Sequence, residues 1–132
     1  MHIVSVPLRS RQIGNLQCNL DRAGIVLSLA GAKGTVSDLA TSNTTDASNI
    51  QTVANGIAGA QGAIGVIGKA LITGQTAPAD ARTQVGGNLT QAITTLANIK
   101  SDDADTSSKL ATAAKQLNDS ATAGAGVVSN CK

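Results

Sequence analysis

Aromatic side chains are absent from this 132-residue chain, which contains no Phe, Tyr or Trp. Any hydrophobic core must therefore be built from Leu, Ile, Val and Ala, and a chain of this length is long enough to bury one. The absence of rings argues against nucleic-acid or sugar binding by stacking. The net charge of +2, without a run of Lys or Arg, argues against a phosphate-binding surface.

Histidine occurs once, at His2, and glutamate does not occur at all. A nucleophile–base pair needs a His, Cys or Lys beside Ser, Cys or Asp, and glycosidase chemistry needs paired carboxylates across a cleft. His2 has no Cys, Asp or Glu near it in the sequence, so we assign it to a solvent-exposed tail. The sequence therefore predicts a protein that is not an enzyme and that holds no cofactor and no metal.

All eight acidic residues are aspartate, and most of them precede a long segment of periodic apolar residues. Lysines lie near the ends of the same segments, at positions 69, 100 and 132. Acid at the start and base at the end is the arrangement that a helix dipole favours. The cluster Asp102, Asp103 and Asp105 has neither the spacing nor the Glu of a calcium loop, so we interpret it as helix capping.

The first segment, from Ser10 to about Leu39, is predicted to be a helix with apolar residues on two sides. One stripe is expected to face the core: Cys18, Ile25, Leu29, Ala32, Val36 and Leu39. The opposite stripe needs a second set of neighbours or stays uncovered: Ile13, Leu16, Leu20, Ala23 and Leu27. A break near Gly31 and Gly34 is the alternative, and it would raise the number of helices from four to five.

Glycine recurs at every third position from Gly56 to Gly68, in GIAGAQGAIGVIG. Collagen is excluded because the intervening positions hold no proline and because the large side chains follow helical spacing from Ile50 to Leu71. We predict a helix from about Asp46 to Thr73, stopped by Gly74 in the left-handed conformation. The glycines fit close helix approach or tolerance on a solvated face, or else a soft helix that moves to open the core.

The same segment is long enough to cross a membrane, but Asn55, Gln61 and Lys69 share one side of it and no aromatic belt flanks it. We therefore predict no transmembrane segment. A third helix is expected to begin with Pro78 at its first position and to end near Lys100. Its predicted core-facing stripe is Ala81, Val85, Leu89, Ala92, Ile93, Leu96 and Ile99. Ser101 or Asp102 is expected to cap a fourth helix, whose predicted stripe is Leu110, Ala114, Leu117, Ala121 and Val128.

Four amphipathic helices with short connections predict an all-α fold, an antiparallel up-down-up-down four-helix bundle. We place a single domain at residues 10–132 and interpret residues 1–9 as a disordered tail or a remnant of a pro-segment.

Cys18 and Cys131 lie near opposite ends of the chain, without metal-site spacing. The predicted topology brings them to the same end of the bundle, so a disulfide is favoured over two free thiols. A bridge closing so long a loop contributes roughly 4–5 kcal/mol in the chain-entropy treatment, and it indicates secretion. Sequons at Asn43, Asn88 and Asn118 are candidate glycosylation sites that agree with an extracellular or cell-wall location.

The segment ALITGQTAPADARTQV, residues 70–85, and the ending VVSNCK resemble small secreted proteins of mushroom-forming fungi. More distantly, the layout of residues 10–132 resembles the fungal hydrophobic-surface-binding and cell-wall galactomannoprotein family. The resemblance implies a helical bundle that is associated with the cell wall or with hydrophobic surfaces, and some members of that family hold fatty acids inside the bundle.

We therefore expect a secreted, non-catalytic protein that binds lipids, fatty acids or hydrophobic surfaces through aliphatic helix faces. The candidate binding residues are Leu16, Leu20, Leu27, Ile57, Ile64 and Ile67. The plainer interpretation is that these residues are ordinary core. The alternative function is a structural or interaction protein, such as a wall component or a host-directed effector, that has no small-molecule ligand.

Overall fold

The computed structural model describes residues 16–42 and 46–130 of the chain. Within these ranges the chain forms four α-helices and no strand. The helices are α1 (Leu16–Ser42), α2 (Ala47–Ile72), α3 (Ala79–Ala97) and α4 (Ala104–Asn130). Each helix packs against its neighbours in the order α1, α2, α3, α4 and back to α1, so the predicted all-α, antiparallel four-helix bundle is confirmed.

Helix α1 runs through Gly31 and Gly34 without interruption, so the alternative of a break at this point is wrong. The two glycines have different surroundings, since Gly31 faces Gln116 of α4 at short distance and Gly34 is exposed to open space. The predicted start of this helix, residues 10–15, lies outside the described residues, as does the tail at 1–9.

The core faces that the sequence predicts for α1 and α3 are largely correct. Every residue of the predicted α1 stripe is buried, from Cys18 to Leu39. On α3 the predicted stripe is likewise buried, apart from Ile93, which is half-buried: Ala81, Val85, Leu89, Ala92 and Leu96, continued by Ile99 just past the helix. These faces are predictable because large aliphatic residues recur with the helical period.

The predicted stripe of α4 is wrong in two positions. Ala121 and Val128 are exposed, and Ser120 is fully buried in their place. The reason is a polar contact that hydrophobic periodicity does not detect. The Ser120 hydroxyl lies 2.6 Å from the Ser28 hydroxyl of α1 and donates to the carbonyl of Gln116 at 3.0 Å. Because its hydroxyl is hydrogen-bonded, this small side chain can be buried where α4 lies close to α1.

The most extensive contacts join α1 with α4 and α2 with α3, so the bundle consists of two tight helix pairs. Small residues bring the helices of the first pair together. A Cβ added at Gly24 would lie 3.3 Å from Cβ of Ala123, and one added at Gly31 would lie 2.7 Å from Nε2 of Gln116. Gln116 also accepts a hydrogen bond from the Thr35 hydroxyl at 2.8 Å. The α1–α4 interface is therefore narrow and partly polar.

The glycine run divides into two parts in the α2–α3 pair. A Cβ at Gly56 would lie 2.9 Å from the carbonyl oxygen of Asn88 and 3.1 Å from Cβ of Ala92, and one at Gly59 would meet the Asn88 side chain. The remaining three, Gly62, Gly65 and Gly68, have open space where a side chain would be, with no heavy atom within 4 Å in the described structure. Close approach of α2 to α3 thus explains the first two glycines. The other three face open space, where glycine is tolerated but not required.

Helix α2 ends as the sequence predicts. Gly74 has φ 82°, its N–H donates to the carbonyl of Leu71, and the N–H of Gln75 donates to the carbonyl of Ala70. These two bonds form a Schellman motif, which directs the next residues across the end of the bundle. Pro78 follows at the position that caps α3 rather than at its first helical position, because its extended ψ of 134° places it just outside the helix.

Asp103 caps α4, and neither Ser101 nor Asp102 takes that role. The Thr106 N–H donates to Oδ2 of Asp103 at 2.8 Å, and this backbone hydrogen bond is the main cause that lowers the pKa of the Asp103 carboxyl. Ser101 contributes indirectly, since its hydroxyl accepts from the Asp103 N–H at 3.1 Å. Asp105 pairs with Lys109 one turn along the helix. The interpretation of the aspartate cluster as helix capping is confirmed, with a different residue as the cap.

The two parts of the glycine run make opposite predictions for the same substitution. We expect Gly56→Ala to cost about 1–3 kcal/mol, because the new methyl overlaps the α3 backbone. We expect Gly62→Ala to stabilise the fold by about 0.5–1 kcal/mol, because it removes glycine's conformational freedom in open space. Urea unfolding followed by circular dichroism at 222 nm measures both. If both substitutions shift the midpoint in the same direction, the close α2–α3 contact is wrong.

The Asp103 cap predicts a pH-dependent stability. Because the folded-state pKa lies below the ordinary value of 3.8, the contribution of the cap is complete above that pH and is lost as the pH falls through the lower folded-state pKa. We expect Asp103→Ala to have a lower urea midpoint than the wild type at pH 7, and the difference to close below about pH 3.8. Asp102→Ala is the control and should have little effect. A difference that does not change with pH would contradict the assignment.

Candidate functional site

The interface between the α1–α4 pair and the α2–α3 pair is less densely packed than the interfaces inside each pair, and we call it the seam. At the end of the bundle where α1 begins and α4 finishes, the seam holds a pocket of about 300 Å³, here called the end pocket. This volume lies at the lower limit of the range of about 300–1,000 Å³ that is usual for small-molecule sites. It suits one narrow apolar chain better than a lipid with two chains.

All four helices and the α2–α3 loop contribute to the end pocket, and most of its lining is aliphatic. The lining residues are Arg22, Ile25, Val26, Ile64, Ile67, Gly68, Leu71, Thr76, Ala77, Arg82, Val85, Gly124, Val127 and Val128. Its deeper wall is formed by the buried Ile25 and Val85, and its rim includes Val26 and Val128, which are 51% and 72% exposed. The pocket is therefore an apolar recess with an apolar rim.

The end pocket exists because the residues around it are too small or too far apart to fill it. Gly124 contributes no side chain to the recess, and a Cβ at this position would only reach ordinary contact with Ile25, at 3.9 Å. Across the seam, Ile64, Ile67 and Leu71 are only half-buried. In a chain without aromatic residues, no ring is available to occupy the remaining volume.

Two arginines bring positive charge to this apolar recess. Arg22 comes from α1 and Arg82 from α3, and they are the only charged residues that line the end pocket in the described part of the chain. Partial burial lowers the pKa of the Arg22 guanidinium, yet arginine remains protonated throughout the ordinary pH range. The Arg22 charge is therefore less well solvated than one on an open surface, whereas the Arg82 side chain is exposed.

The acidic residue next to Arg22 is engaged elsewhere. Asp21 accepts one hydrogen bond from Nε2 of Gln17 on its own helix, at 3.0 Å, and another from Nδ2 of Asn130 on α4, at 2.9 Å. The polar contact of Arg22 that the structure gives is a long one, 3.4 Å from Nη1 to Oδ1 of Asn19. The guanidinium thus retains N–H groups that can donate hydrogen bonds to an anionic ligand in the pocket.

A second recess of about 530 Å³ lies between α1 and α2, nearer the opposite end of the bundle. Its floor is formed by the core residues Val36, Ile50 and Ile57, but polar side chains surround it: Lys33, Ser37, Gln51, Asn55 and Gln61. Only α1 and α2 form its walls. It is larger than the end pocket but is a groove between polar side chains, so it is the poorer candidate for an apolar ligand.

The outer side of α1 carries a separate apolar surface, which we call the leucine face: Leu16, Leu20 and Leu27. These side chains are 74%, 56% and 72% exposed. Their helical positions place them opposite the buried stripe of Cys18, Ile25 and Leu29. The sequence left two possibilities for the second stripe of the first helix, a second set of neighbours or an uncovered surface. In the described structure its leucines are uncovered.

The predicted binding residues do not form one site. Ile64 and Ile67 line the end pocket, Ile57 is buried in the core beneath the α1–α2 groove, and the three leucines lie on the outside of α1. Sequence analysis missed Val127, the loop residues Thr76 and Ala77, and both arginines. The one available signal was that Arg22 falls three residues before the core residue Ile25, which places it beside the core face of α1.

Cys18 is fully buried near the start of α1, at the end of the bundle that holds the end pocket. No described cysteine is free. Cys131 lies outside the described residues, so its pairing with Cys18 stays a prediction. Of the sequons, Asn118 is exposed on α4, and Asn88 packs against Gly59 and donates to the carbonyl of Gln84 at 2.8 Å. Asn43 lies outside the described residues.

No group of three or more His, Cys, Asp or Glu side chains is placed to hold a metal ion within residues 16–42 and 46–130. In the same part of the chain, none of the helices combines the length and the apolar character needed to cross a membrane. No protein-family model, curated protein or solved structure matches this chain.

Proposed function

We propose that this protein is a secreted, non-catalytic binder of lipids, with the end pocket as the site for a single acyl or alkyl chain. The observation that carries the proposal is an aliphatic recess of about 300 Å³ enclosed by four helices, with an apolar rim. Each methylene transferred from water into such a site contributes about 0.8 kcal/mol, so a chain of at least about ten methylenes is needed for micromolar binding, before the cost of association is counted.

Secretion belongs to the same proposal and is supported by the expected disulfide and by the exposed sequon at Asn118. A bridge from Cys18 would fasten the chain end to the wall of the bundle beside the end pocket. It would offset part of the stability that the aliphatic core lacks without rings and that α2 lacks through its glycines.

The leucine face favours a second mode, in which the protein adsorbs to an extended hydrophobic surface. Three leucines that are more than half exposed on one side of one helix cannot hold a ligand in a recess, but they can lie flat against an interface. A structural or interaction role without a small-molecule ligand would use this face and would leave the end pocket empty. The two modes are separable because they use different sides of α1.

Gly68 offers a way to close the end pocket without weakening the fold. It lines the pocket, and the position of its missing side chain is open. We expect Gly68→Leu to reduce the affinity for a twelve-carbon lipid by at least about tenfold, because the new side chain occupies space that the ligand needs. Displacement of the neutral dye N-phenyl-1-naphthylamine measures this, and a protein without aromatic residues adds no background fluorescence.

Gly65→Leu is the matched control, since it adds the same side chain to open space on the same helix outside the pocket. It should bind the lipid as the wild type does. Equal affinity of both variants and the wild type would rule out the end pocket as the binding site, and failure of the wild type to bind any twelve-carbon lipid would rule out the lipid-binding function.

For the leucine face, we expect Leu20→Asp combined with Leu27→Asp to reduce adsorption to octadecyl-coated beads severalfold while leaving displacement of the dye by lipid unchanged. Both side chains are exposed, so the fold should tolerate the changes. Exposed Val66→Asp combined with Ile72→Asp on α2 is the control. If the α2 variant loses adsorption to the same extent, the effect is one of overall hydrophobicity and the assignment to α1 is wrong.

A further inference from the structure

The end pocket combines an aliphatic interior with positive charge from two different helices. Arg22 reaches it from α1 and Arg82 from α3, and these two helices lie diagonally opposite in the bundle. Arg22 is half-buried and Arg82 is exposed, so neither guanidinium is sealed inside the recess, and each offers N–H donors to an anionic group that enters it from solvent.

The acidic residues nearest in sequence do not neutralise these charges. Asp21 is held by Gln17 and Asn130 on the side of α1 that faces α4. Asp80 precedes Arg82 by two positions, a spacing that places the two side chains on different sides of α3. The ion pairs of the described residues, Asp105 with Lys109 and Asp119 with Lys115, both lie along α4.

We propose that Arg22 and Arg82 bind the anionic head group of a single-chain amphiphile, a long-chain carboxylate, whose tail occupies the end pocket. This inference rests on the proposed lipid-binding function and specifies its ligand class. The planar guanidinium matches a carboxylate in two-point geometry, and the partial burial of Arg22 strengthens its pairing. The volume of about 300 Å³ admits one chain, which excludes a two-chain phospholipid as the preferred ligand.

The test compares three ligands that share a twelve-carbon chain and differ in head-group charge: dodecanoate, monododecanoylglycerol and dodecyltrimethylammonium. Each displaces N-phenyl-1-naphthylamine from the full chain at pH 8, below the concentration at which it forms micelles. We expect dodecanoate to bind about tenfold more tightly than the neutral ester, and the cation to bind more weakly than either.

The arginines are tested by Arg22→Gln, Arg82→Gln and the double variant. We expect each single change to weaken dodecanoate binding about threefold, so that the double variant loses most of the tenfold preference, and to leave binding of the neutral ester unchanged. Lys69→Gln is the matched control. It removes one positive charge from α2 beside the pocket residue Gly68, at a position that does not itself line the pocket. It should change neither affinity by more than about twofold.

The outcomes separate this inference from the function on which it rests. Equal binding of dodecanoate and the neutral ester by the wild type, or an undiminished preference for dodecanoate in the double variant, overturns the role of the arginines and leaves lipid binding intact. Equal losses from Lys69→Gln and the arginine variants overturn it as well, because they indicate a general effect of net charge. If none of the three ligands displaces the dye, both proposals fail.

Discussion

Close approach of helices within two pairs is the constraint on which the rest of this structure depends. Gly56 against Asn88 and Ala92 leaves no room for a side chain, and Gly24 against Ala123 leaves very little. Small residues at these contacts allow backbones to approach, and the larger aliphatic residues are then left to join one pair to the other. The seam is therefore the place where volume must be filled by Leu, Ile and Val alone, and at one end of the bundle it is not filled.

The sequence predicts those parts of the fold where large residues recur with the helical period. The buried faces of α1 and α3 follow from the helical period, and the stop at Gly74 follows from glycine's left-handed conformation. These predictions are correct apart from Ile93, which is half-buried. Ser120 shows where this reasoning fails. Its burial depends on Ser28, ninety-two positions away, and hydrophobic periodicity carries no information about such a partner.

The candidate site is less predictable than the fold for a related reason. Periodicity places Ile64 and Ile67 on the inner side of α2, but it does not say whether the opposite helices supply enough side chain to cover them. That depends on Gly124 and on the path of the α2–α3 loop, both of which are set by three-dimensional packing. Likewise Arg22 and Arg82 are sixty positions apart, and neither has a sequence neighbour that marks it as part of a site.

The arrangement in pairs also determines how the bundle would accommodate a ligand. Separating α1 from α4 breaks the Ser28–Ser120 and Thr35–Gln116 hydrogen bonds and exposes buried polar groups, which is costly. Separating one pair from the other breaks mainly dispersion contacts between aliphatic side chains, and the apolar surface so exposed would be covered by the ligand itself. An occupant longer than the end pocket would therefore extend along the seam, and the tight glycine contacts that create the pocket would keep each pair intact as it widens.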